Sequence, residues 1–391
     1  MFAWGTAFYG LGFYLLRLSE LRGWSIAEIS NVVFVFYLAA VVLSFWVSKQ
    51  LARRGPRAVI ALGAVAMGLA LLAMPHVSNL ALLVVVFLVL SLGWSATNSN
   101  PISTTVLAWF PNGQRQLSIA LVGASLGGIV LIPVLGDLDQ RFGFTVAMTA
   151  LALTTTATVG GLAVAFIDRP ESVEPVDTGR SIQRADRMAW SITRGPDYWI
   201  LGTGLAAGIA VQGGFLVHQL SMLTEVVTAS TATRIVGVAT AAAFVGRFGP
   251  VVVGDRLPAA IVGAGYLAVQ TVALALLAVI DNTPAVLTAM NMLFGVGVGV
   301  LITMPSLLTR ATYPHLPFTS AFPVVNLSFQ LPLAAGAPAL ALLHTRLGGY
   351  RSAMWALAAL DLGAAVLLVW NHRRTGLRQD LRACSIRSST S

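Results

Sequence analysis

The chain has 391 residues, of which 57% are hydrophobic and 10% charged, with 24 Lys and Arg against 15 Asp and Glu. A soluble domain carries roughly 25% charged residues, so this composition excludes an ordinary water-soluble fold. The net charge of +9 does not mark a nucleic-acid binder, because the basic residues stand between apolar blocks rather than on one soluble face, and the single Cys384 excludes a disulfide framework, zinc cluster or redox pair built from this chain alone.

In lipid only helices or closed barrels satisfy the backbone polar groups. Strand-like alternation is absent, and stretches such as 81–92 and 148–167 run without a charge, so the chain reads as helices. A crossing needs about 20 residues. Taken in order, the apolar runs predict spans at 2–17, 27–48, 58–76, 80–107, 115–137 and 144–167, then 198–223, 231–254, 258–280, 284–309, 319–343 and 350–370. The first is short, reaching Arg17 at once, and no basic leader or small-residue cleavage site marks a signal peptide, so the expectation is either native residues upstream of Met1 or a short span without tilt. Ahead of the second span, Ser25 and Glu28 have the spacing of a capping box.

Between spans six and seven lies a polar stretch with Arg169, Arg180, Arg184, Arg187 and Arg194. The organisation expected is a six-helix bundle over 1–167, a linker over 168–197, a second six-helix bundle over 198–370 and a basic tail over 371–391. With an even number of spans both termini share a side. The loops on that side, the linker and the tail hold 17 of the 24 basic residues, the opposite loops hold 6, and Arg247 lies inside a span. By the positive-inside rule the termini and linker are cytoplasmic.

The loop after span two reads Ser48-Lys49-Gln50-Leu51-Ala52-Arg53-Arg54-Gly55-Pro56-Arg57. It resembles the loop motif of the major facilitator superfamily, Gly-x-Leu-x-Asp-Arg-x-Gly-x-Arg, with Ser48 and Ala52 replacing the glycine and the aspartate. Gly254-Asp255-Arg256 is a weaker echo after span eight. The resemblance implies an all-α membrane protein of twelve transmembrane helices in two six-helix bundles, with Arg53, Gly55, Arg57, Asp255 and Arg256 as gating residues. A second set of residues is similar to the monocarboxylate transporters and oxalate:formate antiporters: Trp109-Phe110-Pro111, Arg115, Leu117, Ala120, Gly123, Gly127-Gly128 and Pro133. Gly5, Tyr9, Gly10, Gly23-Trp24-Ser25, His218 and Gly246-Arg247 extend that likeness.

Arg247 is the leading candidate for chemistry. It stands eight residues, about 12 Å of helix, from the predicted end of its span, too deep for easy snorkelling. A guanidinium there needs water, a partner or a ligand, and its fork matches a carboxylate. The resemblance implies a substrate-binding arginine in this span. The relatives' acid, one turn earlier, is Ala243 here, and no Asp or Glu replaces it in the middle of spans 1, 4, 7, 8, 10 or 11, which implies weak or absent proton coupling compared with those relatives. The only mid-span acid noted is Asp361, in the last span. His218 can titrate near neutrality, although a structural histidine is as common. Tyr9, Tyr37, Asn98, Asn100, Gln212, Asn291, Asn326 and Gln330 complete a polar cavity set, each equally readable alone as helix glue. Gly295, Gly297 and Gly299 lie inside an apolar span with no preceding strand, so they read as close helix packing and not as a dinucleotide loop.

The expected function is therefore secondary or facilitative transport of a small organic anion, a carboxylate by class, by alternating access. Efflux of a metabolite or drug, and a non-transporting receptor of the same fold, are the alternatives. An embedded enzyme finds no nucleophile–base pair or metal cluster among the five histidines. No cofactor or metal is expected. The partners are the solute and membrane lipids, with no nucleic acid; the state is a monomer, and the place a bacterial cytoplasmic (inner) membrane.

Overall fold

The structure, a computed structural model, describes the chain except for residues 99–100, 103–104, 107–122, 168–189, 250–256, 281–282, 302–303, 305–308, 310–311, 314–317 and 390–391. The Trp109 to Ala120 motif, most of the linker, Asn100, Asp255 and Arg256 lie outside the described residues, as does the side chain of Asn326.

The described residues form twelve helical segments and no strand. The first, α1, consists of Phe2–Trp4, a π-turn at Gly5–Tyr9 and Gly10–Arg22. Then come α2 (Ile26–Arg54), α3 (Pro56–Ala73) and α4 (Leu80–Thr97). The fifth, α5, runs from residue 123 through a π-turn at Gly127–Leu131 and Ile132–Phe142, and α6 through Phe144–Thr155, Thr156–Gly160 and Gly161–Phe166. The second half holds α7 (Pro196–Thr224), α8 (Ala229–Gly246), α9 (Ala259–Val279), α10 (Pro284–Leu301), α11 (Phe318–Leu347) and α12 (Tyr350–Ser389). Nine of these, among the described residues, are long and apolar enough to cross a membrane. The other three are α1 and α5, which carry charges, and α10, whose apolar part is shorter.

Local chemistry explains the sharp turns. Gly23 ends α1 at φ +69°, a left-handed conformation that costs glycine little, and its N–H donates to the Ser19 carbonyl at 2.9 Å. Two residues on, the capping box forms as expected: the Glu28 N–H donates to Ser25 Oγ at 3.2 Å and the Ser25 N–H to Glu28 Oε2 at 2.8 Å. Asn79 and Thr228 cap α4 and α8 with the side chain alone, accepting from the N–H of Leu82 and of Thr231.

Three boundaries differ from the sequence expectation: α4 ends at Thr97, inside the expected 80–107, because Asn98 is extended, and two helices run past their expected ends at charges. The first span does not stop at Arg17, because Arg17 Nε lies 2.7 Å from Asp139 Oδ2 of α5 and a second nitrogen pairs with Glu20. With its charge compensated, the helix continues to Arg22. For the same reason α5 passes beyond residue 137 to Phe142. At the other end the apolar part of α12, Tyr350–Trp370, has the expected bounds, and the helix continues through the basic tail as far as Ser389.

Consecutive segments reverse direction, so each has one end on the side of the termini and one on the opposite, far side. The buried side chains divide accordingly. One large cluster joins both halves toward the far side, bringing Leu18, Ile29 and Leu135 together with Leu220, Ile235 and Leu340. Toward the terminus side, two smaller clusters each stay within one half among the described residues: Tyr198, Leu267, Met304 and Phe329 in the second, Val47, Leu51, Val59 and Ala96 in the first. Helix backbones also meet across the halves on the far side. A Cβ on Gly12 would stand 2.9 Å from the Val217 carbonyl, and one on Gly136 would stand 2.7 Å from Thr233 Cγ2. The conformation is thus sealed on the far side.

This seal gives an expected result. Leucine at Gly136 has no room beside Thr233 and should wedge the far ends apart while leaving each half folded. In that background a cysteine at Val217, 2% exposed in the sealed state, should react with a far-side maleimide about tenfold faster, the change that about 1.4 kcal/mol of overpacking produces.

Candidate functional site

The interface between the halves narrows to a crevice lined by Tyr9 of α1, Gln219 of α7, Thr240 and Ala243 of α8, and Asn291 and Phe294 of α10. Its free volume is about 10 Å³, at most one water. Tyr9 is placed by the π-turn Gly5–Tyr9, which packs against the second π-turn, Gly127–Leu131. The approach requires glycine on both sides, since a Cβ on Gly127 would be 2.5 Å from the Gly5 nitrogen. On the opposite wall Gln219 Nε2 donates to Asn291 Oδ1 at 2.7 Å, and Asn291 Nδ2 donates to the Leu287 carbonyl at 2.7 Å. A buried amide pair of this kind has its donors and acceptors fixed by its neighbours.

Arg247 stands at the point where α8 ends. Its N–H reaches the Ala243 carbonyl at 3.3 Å with the backbone still near helical angles, φ −60° and ψ −25°, and Arg247 and Phe248 form a turn. The expected span through 254 continues into residues 250–254, which lie outside the described residues. A cation at a helix C-terminus gains from the dipole, which lowers the cost of holding the charge at this depth. The half-buried guanidinium faces the buried Tyr9 hydroxyl of the first half and interacts with it electrostatically. Thr240, Ala243 and Arg247 fall at i, i+3 and i+7 on one face of α8. One helix face thus carries the crevice wall and its charge.

His218 occupies a different environment. Its Nδ1 lies 3.0 Å from the Tyr350 hydroxyl, and its Nε2 lies 3.0 Å from the Ala337 carbonyl and 3.1 Å from Ser30 Oγ. The Ser30 hydroxyl already donates to the Ile26 carbonyl. A neutral ring with Nε2–H donating and Nδ1 accepting from Tyr350 satisfies the whole set. His218 therefore ties α2 of the first half to α7, α11 and α12 of the second, on the far side of the crevice.

The remaining candidates are spread. Tyr37 is buried beside Phe36 on α2, Gln212 is buried on α7 with its Nε2 unpaired among the described residues, and Asn98 is buried at the end of α4 and engaged. Gln330 is half-buried on α11. Asp361 lies inside the second half near Gly208 of α7, fully buried and away from the crevice. At the loop between α2 and α3, Gly55 has φ +78° and donates to the Leu51 carbonyl at 3.0 Å, while Arg53 and Arg57 are exposed and engaged. Gln219 and Thr240 were missed in the sequence. Their signal was present in the spacing: Gln219 stands seven residues from Gln212, and Thr240 seven from Arg247.

The family model for the Major Facilitator Superfamily matches residues 1–316. The chain belongs to that superfamily. Among solved structures, this major facilitator chain is similar to a crystal structure of a mutant of the nucleoside transporter NupG, with a TM-score of 0.80 and 14% identity over 95% of this chain and 96% of that one. It is also similar to a bacterial homologue of the human lysosomal transporter Spinster in an inward-facing and occupied conformation, with a TM-score of 0.70 and 15% identity over 95% and 94% of the two chains. No curated protein sequence matches it. The identities are low, so these likenesses establish the fold alone, two six-helix halves, while the superfamily match makes the chain an integral membrane protein of transporter type. Among the described residues no group of His, Cys, Asp and Glu could hold a metal ion.

Proposed function

We propose that this chain moves a small organic anion, a carboxylate by class, by alternating access, with Arg247 as the counter-charge. The observation that carries this reading is the Arg247 guanidinium set against Tyr9 at the junction of the halves. A charge at that depth is costly and marks a solute path. A phenol and a guanidinium converging on one point offer the donors that a carboxylate accepts. The buried amide pair Gln219–Asn291 beside Tyr9 supports a second reading, an uncharged polar solute held by neutral hydrogen bonds.

A screen of mono- and dicarboxylates against neutral polar solutes separates the two, because a ligand of one state raises the melting temperature by mass action, about 2.7 kcal/mol at a hundredfold excess over Kd. Stabilisation by carboxylates alone is the expected result. Flux of the stabilising compound into sealed vesicles separates a transporter from a receptor of the same fold.

The orientation follows from the basic residues: the termini and the 168–197 linker are read as cytoplasmic, in a bacterial inner membrane, with the chain acting as a monomer and without a cofactor. The sealed far side is then the outside. Cysteines at Ser181 and Ser388, in a Cys384→Ser background, should label from the same face of sealed cells, whereas labelling from opposite faces would overturn this topology.

A further inference from the structure

A second cavity, separate from the crevice, opens between the halves on the far side. It measures about 230 Å³ and is lined by Arg17 and Glu20 of α1, Asp139 and Gln140 of α5, and Thr233 of α8, with Leu220 closing it from α7. Asp139 is only 8% exposed. One carboxylate oxygen pairs with Arg17 at 2.7 Å, and the other, Oδ1, has no hydrogen-bond partner. Arg17 is shared with Glu20, so two carboxylates divide one cation and the cluster carries a net charge of −1. No titratable group of α7 or α8 lines the cavity, and the nearby Asp137, Arg141 and Arg234 are exposed outside it.

We propose that Asp139 Oδ1 is a proton-binding site of the far-side cavity, and that its occupancy favours the far-side-sealed conformation. The chemistry is one O–H bond formed with a proton taken from water of the far side, which brings the cluster from −1 to neutral. A carboxylate closed between two protein halves loses hydration, so its protonated form is favoured there. Asp139 lies beyond the apolar part of α5, and burial pushes its carboxyl above the usual range, with Arg17 opposing and Glu20 assisting. When the halves part on this side, water reaches Oδ1 and the ionised form recovers its solvation. The proton is thus held more tightly in the sealed state, and by linkage an acidic far side favours sealing while an alkaline one favours opening. The acid absent at Ala243 is then no measure of proton response, because the response resides at the far side. This inference holds for any substrate class.

The test uses the full chain without added solute, in lipid nanodiscs, carrying Cys384→Ser with spin labels at Leu21→Cys and Val226→Cys, both about half exposed on the far side. Between about pH 8 and about pH 5 the ratio of short to long distances should rise about tenfold, and in Asp139→Asn it should stay short and change less than about twofold. Asp139→Glu should keep the response, which separates lost titration from lost folding, and so should Glu20→Gln, whose parent side chain is exposed. An unchanged pH response in Asp139→Asn would overturn the proposal. So would a response abolished by Glu20→Gln alone, or one reproduced by sodium at constant pH.

Discussion

Replacing Arg247 with glutamine is expected to remove nearly all carboxylate stabilisation while leaving a folded, membrane-inserted protein. The guanidinium lies at the end of α8, against a phenol of the other half, so its loss deprives an anion of its only formal counter-charge along the face that lines the crevice. Truncating one member of a buried charge pair costs roughly 2–5 kcal/mol, or roughly 30-fold to several thousandfold in Kd. Arg247→Lys keeps the charge but loses the fork and should weaken binding by about tenfold or more. Tyr9→Phe removes one neutral donor and should cost about 1 kcal/mol. Thermal shift and isothermal titration with the best carboxylate measure the series. Wild-type affinity in well-folded Arg247→Gln would remove the anion reading and leave the neutral one supported by Gln219 and Asn291.

The second large effect is expected at Gly299. Helices α8 and α10 pack backbone to backbone: a Cβ on Gly295 would run into the Ala239 carbonyl, and one on Gly299 into the Ala243 carbonyl and toward the Arg247 nitrogen. Neither obstacle is a side chain that can rotate away. Gly299→Leu should therefore separate the helices, at a cost of roughly 3 kcal/mol or more, and displace Arg247 with them. Gly265→Ala on α9 is the control. A Cβ there meets nothing within 4 Å, so helix propensity alone acts and stability should rise by about 0.5–1 kcal/mol. Melting temperatures and monodispersity in detergent read both. Equal effects at the two positions would show that the close packing of α8 on α10 contributes little.

What the sequence determined by itself was the class, an all-α membrane protein of the major facilitator fold. Hydrocarbon admits few structures, so apolar runs of spanning length, interrupted by loops, dictate helices whatever their neighbours. Caps such as Ser25 with Glu28, and turns such as Gly23, are local and were equally legible, because every atom involved lies within a few residues. The reading failed where a distant residue changed the meaning of a local one. Arg17 alone reads as the end of a span; paired with Asp139 on α5 it is part of the helix, and the pair buries an acid that stands beyond the expected span end at 137. His218 stood out in the sequence as a titratable group and proved to be satisfied by Tyr350, Ala337 and Ser30, three groups far apart along the chain. Arg247 was legible because its charge is anomalous wherever it points. Tyr9 opposite it, the Gln219–Asn291 pair and the seal on the far side were decided by tertiary structure alone, since a spacing along one helix fixes which face a residue shares but not which helix that face meets.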